Sequence, residues 1–75
     1  MKIKFSRHAK RRAKLYNIQE STILNILQNI ELSQGMHEII KNVEGFEYPL
    51  KIIIAVENDI TTVVTNYPLR KGRKK

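Results

Sequence analysis

The stretch Ile52-Ile53-Ile54-Ala55-Val56 leaves this chain the fewest structural options. Branching at Cβ restricts a side chain in a helix and suits it to the pleated surface of a sheet. An unbroken apolar run of this kind is the pattern of a strand buried on both faces. The strand is expected within Phe46–Val56. A strand needs neighbours, and the residues that follow supply one. Asn58-Asp59 suits a two-residue hairpin turn. Ile60 to Tyr67 then alternates, with Ile60, Thr62, Val64 and Asn66 on one face and Thr61, Val63, Thr65 and Tyr67 on the other. Pro68 has no backbone N–H to give to a ladder, so the strand ends there.

The first half of the chain reads differently. Lys2-Ile3-Lys4-Phe5 alternates with period two, as a short half-buried strand does. Ser6 suits a helix N-cap. Residues 7–16 form a helix whose stripe is Ala9, Ala13 and Tyr16, small enough to lie close to whatever covers it. Asn17 breaks it. A second helix begins near Gln19 or Glu20, where a carboxylate complements the positive helix end. Ile23, Leu27 and Ile30 are its stripe, widened by Leu24 and Ile26, and it ends near Leu32. Gly35 suits a left-handed turn, and His37 to Val43 is a third strand candidate. The predicted order is β-α-α-β-β-β. This is an α+β fold with two N-terminal helices packed on a small antiparallel sheet, and nothing in the pattern says whether the first strand pairs with the last.

Seventy-five residues make one small domain. A chain of this size buries only about 60% of the surface exposed when unfolded, so its stability is marginal. We expect a single domain over residues 1–70 and a basic tail over 71–75. With no Cys, neither a disulfide nor a thiolate metal site supplements the core. No apolar segment follows the basic N-terminus, and no run approaches the roughly 20 residues that span a bilayer. A cytoplasmic protein without a membrane partner is expected.

Charge is segregated along the chain. Residues 1–16 hold Lys2, Lys4, Arg7, Lys10, Arg11, Arg12 and Lys14, and residues 70–75 hold Arg70, Lys71, Arg73, Lys74 and Lys75, with no acid in either. All seven acidic residues lie between, against Lys41 and Lys51. A cationic surface attracts polyanions over about a Debye length, roughly 8–10 Å at ordinary salt. Nucleic acid is the obvious candidate.

Few residues carry chemistry. His8 lies one turn before Arg12 on the same helix face, among cations that favour its neutral, proton-accepting form. It serves either as a proton-transfer group or as a residue that orients the strand–helix junction. Arg12 and its neighbours Arg7 and Arg11 either hold phosphate, which guanidinium groups do bidentately, or form a solvated cationic face. Thr65, Tyr67 and Arg70 lie near the end of the last strand. The Tyr67 hydroxyl suits phosphate and its ring suits a base, but the same residue fits a half-buried strand position with its hydroxyl wet. His37 reads as an edge residue. No acidic cluster has metal-ligand spacing and no glycine-rich phosphate loop exists. No cofactor is expected.

One resemblance adds to this reading. Phe5-Ser6-Arg7-His8-Ala9-Lys10-Arg11-Arg12, followed by Tyr16-Asn17-Ile18, resembles the T-x-H-A-x-x-R…R-G-I opening of a family of small, largely uncharacterised bacterial domains. Val63-Val64-Thr65-Asn66-Tyr67 resembles their closing V-V-T-x-Y element. That family is similar to the RelE/ParE-like and BrnT-like toxins, and the likeness spans roughly residues 3–70. Tyr16 stands where the family has its second Arg, and Asn17 stands where it has Gly. Asn tolerates the left-handed conformation, so the turn is kept.

The resemblance implies a RelE-like fold and the toxin half of a type II toxin–antitoxin pair, acting as a metal-independent endoribonuclease. The chemistry implied is attack of a ribose 2′-hydroxyl on the adjacent phosphate. His8 transfers the proton and Arg12 stabilises the charge. Thr65 and Tyr67 match the closing element, and Tyr67 contacts the phosphate or a base. Beside the resemblance, the cationic runs offer Arg7, Arg11, Arg70 and Lys71 as RNA-binding residues together with Thr65. The implied partners are RNA, including ribosome-bound mRNA, and an acidic antitoxin protein. The alternative is a non-catalytic module of the same fold that binds nucleic acid or inhibits a protein target.

Overall fold

The computed structural model of the chain describes residues 2–69, so Arg70, Lys71 and the expected tail lie outside the described residues. The elements are β1 (Lys2–Phe5), α1 (Arg7–Leu15), α2 (Glu20–Gln28), β2 (Gly35–Lys41), β3 (Leu50–Glu57) and β4 (Ile60–Pro68). This is the expected α+β order. The four strands form one sheet in the order β1-β4-β3-β2. β2, β3 and β4 are antiparallel neighbours, and β1 pairs with β4 in parallel, which makes the sheet mixed rather than purely antiparallel. The turn at Asn58-Asp59 joins β3 to β4 as expected, with Asn58 at φ 57°.

Local chemistry sets the helix limits. The Ser6 hydroxyl accepts from the Ala9 N–H at 2.9 Å, capping α1. The same hydroxyl donates to the Val64 carbonyl at 2.8 Å, and the Ser6 N–H donates to the Val63 carbonyl at 3.0 Å. One short side chain therefore caps the helix and pins it to the central strand β4. Ser6→Ala is expected to cost about 1–2 kcal/mol, the loss of a cap plus a partly buried hydrogen bond. The check is a lower denaturant midpoint with an unchanged slope. Asn17, at φ 62°, adopts the left-handed turn that stops the chain after α1. α2 is shorter than expected. It ends at Gln28, where the Asn29 side chain donates back to the Asn25 carbonyl at 2.9 Å.

The core lies between the helices and one face of the sheet. It contains Ala9 and Ala13 of α1, Ile23 and Leu27 of α2, the turn residue Ile18, and Leu50, Ile52, Ile54, Val56 and Val63 of the sheet. Ile3 and Phe5 of β1 pack against it. The run Ile52–Val56 is fully buried on this face alone. Ile53 and Ala55 point to the other face and are half-buried. No described helix covers that second face, which corrects the expectation of a strand buried on both sides.

The alternation expected along β4 also breaks. The β3–β4 register shifts between Ile53 and Ile54, so that Ile54 pairs with Val63 and Ile53 with Thr65. Val64 is the extra residue, and a bulge of this kind moves every later side chain to the opposite face. Thr61, Val63 and Asn66 therefore face the core, while Thr62, Thr65 and Tyr67 face away. Thr65 and Tyr67 share a face as expected, but Thr61 and Val63 do not share it with them.

Candidate nucleic-acid interface

Helix α1 is cationic because the core uses only its small side chains. Ala9 and Ala13 are buried, and Arg7, His8, Lys10, Arg11 and Lys14 are exposed. Arg12 is half-buried on the flank, where its Nη1 donates to the Tyr16 hydroxyl at 3.4 Å. His8, Arg12 and Tyr16 thus follow one another at successive turns along one side of α1. No acidic residue occupies the first turn. Among the described residues the one ion pair is Lys51–Glu38 at 2.6 Å, on the sheet, and it takes no cation from α1. Cations without acidic partners keep their field available for an external anion.

A second set of polar groups lies on the uncovered face of the sheet. Pairing sets Lys51 of β3 opposite Tyr67 of β4, and Ile53 opposite Thr65. The Lys51 ammonium sits 6.0 Å from the centre of the Tyr67 ring, within cation–π range. Its hydrogen bond to Glu38 holds the Lys51 ammonium above its usual pKa of 10.5, helped by the charge of Glu38 and by Tyr67. Lys2 and Lys4 of β1 pair with Ile60 and Thr62, so they join the same uncovered face while Ile3 and Phe5 turn inward.

The structure therefore divides the expected centre. His8 and Arg12 share one side of α1 with Arg7 and Arg11 nearby. Thr65 and Tyr67 share the uncovered sheet face with Lys51 and Lys4. Between them lies the sheet: α1 packs on the face carrying Asn66, whose amide donates to the Ala9 carbonyl at 3.3 Å, and Tyr67 projects from the other. The partner of Arg12 is Tyr16, not Tyr67. The physical cause is strand alternation, since residues adjacent to Asn66 must point away from it. The link between the two sets is Ser6. It fastens the start of α1 to Val64, one residue from Thr65.

Lys4 and Lys51 were not singled out from the sequence. Lys4 shares parity with Lys2 in an alternating strand, but its face is fixed only by parallel pairing with β4. Asn66 was also missed. It is fully buried, and its Oδ1 has no hydrogen-bond partner. Among the described residues no three His, Asp or Glu side chains come together in a way that could hold a metal ion. No described helix is long and apolar enough to cross a membrane. Comparison with protein families, curated proteins and solved structures returned no match.

Proposed function

We propose that this chain acts on RNA, as the toxin component of a toxin–antitoxin pair, with helix α1 as its phosphate-gripping surface. The observation that carries the reading is the run of exposed, unpaired cations on α1: Arg7, Lys10, Arg11 and Lys14, with Arg12 steadied on the flank by Tyr16. Guanidinium and ammonium groups so displayed bind phosphates without regard to sequence. Lys4, Lys51 and Tyr67 supply a second, sheet-borne contact surface where a base can stack beside a cation. An acidic antitoxin would neutralise the same cations, which is how a partner would hold the toxin in check.

The test is RNA affinity against salt. For single strands log K falls with a slope of about −0.7 per phosphate engaged, so about four contacts lose about 50-fold between 50 and 200 mM salt. A variant carrying Arg7→Gln, Arg11→Gln and Lys14→Gln alters only exposed side chains. It should bind at least tenfold more weakly at low salt, with a slope shallower by about 2. A variant that keeps the full slope would remove α1 from the interface. Growth arrest on expression of the wild-type chain alone, relieved by an acidic partner, tests the toxin half of the reading.

The position of His8 at the exposed side of α1, one turn from Arg12, favours RNA cleavage over binding alone. The proton-transfer role stays with His8, and Tyr67 becomes a separate contact.

A further inference from the structure

We infer that two copies of this chain associate through the free edge of β2, forming one continuous eight-stranded sheet across a two-fold axis at Glu38. β2 ends the strand order and, among the described residues, pairs with β3 alone. It runs for seven residues, and its pairing with β3 is regular throughout. Edge strands are usually blunted by proline, by a bulge or by interior lysines. β2 has no proline and no bulge, and its one lysine, Lys41, is its last residue. It also exposes large apolar side chains: Met36 is 65% and Ile40 is 55% exposed, on the face that no helix covers.

The occupant follows from the pattern of the strand itself. Antiparallel pairing of β2 with its own copy over full length sets Met36 opposite Ile40, His37 opposite Ile39, and Glu38 opposite Glu38. Each apolar side chain on the uncovered face then meets an apolar one, the pairing that stabilises neighbouring strands. Two carboxylates at the axis would repel, but each Glu38 already holds its own Lys51 at 2.6 Å. The wider charge distribution points the same way. The strongly cationic elements β1 and α1 lie at the far side of the sheet from β2. In the paired sheet the two β1 strands are seven strand spacings apart, about 34 Å. That is about four Debye lengths at physiological salt. A basic peptide would find no matching charge on this edge, because Glu38 is already neutralised by Lys51, and an acidic one would meet a single lysine, Lys41, at its very end. A second copy brings a strand of equal length and matched pattern.

The absence of cysteine from the chain gives a register-specific test. Directly opposed residues in an antiparallel pair have Cα atoms about 4.5–5.5 Å apart, which a disulfide can span. Glu38→Cys should therefore oxidise to a covalent dimer in air. Met36→Cys should not, because the two-fold axis leaves its copy four residues away, about 14 Å. In light scattering the wild-type chain should move towards twice its 8.8 kDa as concentration rises through the micromolar range. A variant with Met36→Lys and Ile40→Lys should stay monomeric with an unchanged circular-dichroism spectrum. Equal cross-linking of both cysteine variants, a monomeric wild type at all concentrations, or a dimer untouched by the double lysine variant would each overturn the proposal.

Discussion

Ile54→Ala is expected to remove 2–5 kcal/mol, the usual cost of emptying a fully buried branched side chain. Ile54 has no exposed surface and sits at the centre of the sheet, with His37 of β2 on one side and Val63 of β4 on the other. Its side chain faces the core formed with both helices. The total stability of 75 residues, at about 0.05–0.15 kcal/mol per residue, is about 4–11 kcal/mol. One substitution thus takes a large share of it, and there is no disulfide to retain the fold. Ile60→Ala is the comparison. Ile60 is 38% exposed at the start of β4 and outside the core, so its loss should cost about 1 kcal/mol or less. Urea unfolding of the two variants measures the difference directly. Equal midpoints would mean that the core is not centred on the inward face of β3.

Much of this arrangement is legible in the residues. The β-branched run, the Asn58 turn, the Ser6 cap and the Asn17 break each act locally, and each lies where the pattern sets it. The ends of β2 and α2 shift by a few residues because propensity falls gradually while capping is abrupt: the Asn29 side chain closes α2 before the apolar stripe reaches Ile30. What could not be read is whatever depends on distant pairing. The bulge at Val64 turns Asn66, and not Thr65 or Tyr67, towards the helices. Neither strand contains a glycine or proline at that point to announce it. The consequence reaches the candidate site, since it sets Asn66 against α1 and sends Tyr67 to the other face. The choice of β1's partner is likewise non-local. Four residues cannot encode a parallel neighbour near the far end of the chain, and the Ser6 contacts to Val63 and Val64 become visible only in three dimensions.

In the RNA cleavage we propose, His8→Ala is expected to lower the rate by about 10²–10⁴-fold, the usual cost of losing a proton-transfer group. The step concerned is attack of the 2′-hydroxyl oxygen on the neighbouring phosphorus. The proton passes to the imidazole, the bond to the 5′-oxygen breaks, and that oxygen takes a proton from water as it leaves. The products are a cyclic phosphate and a free 5′-hydroxyl, both identifiable by mass. RNA affinity should change little, because the surrounding cations remain. Cleavage by His8→Ala at the wild-type rate would end the role assigned to His8 while leaving α1 as a binding surface. Tyr67→Phe then distinguishes one centre from two. Groups acting as a unit in one transition state have strongly non-additive effects, whereas separate contacts add. With the sheet between the packing face of α1 and the face bearing Tyr67, the losses in His8→Ala and Tyr67→Phe should simply multiply. A double variant no slower than His8→Ala alone would require the two groups to meet on the same phosphate, and so a movement of α1 away from Asn66.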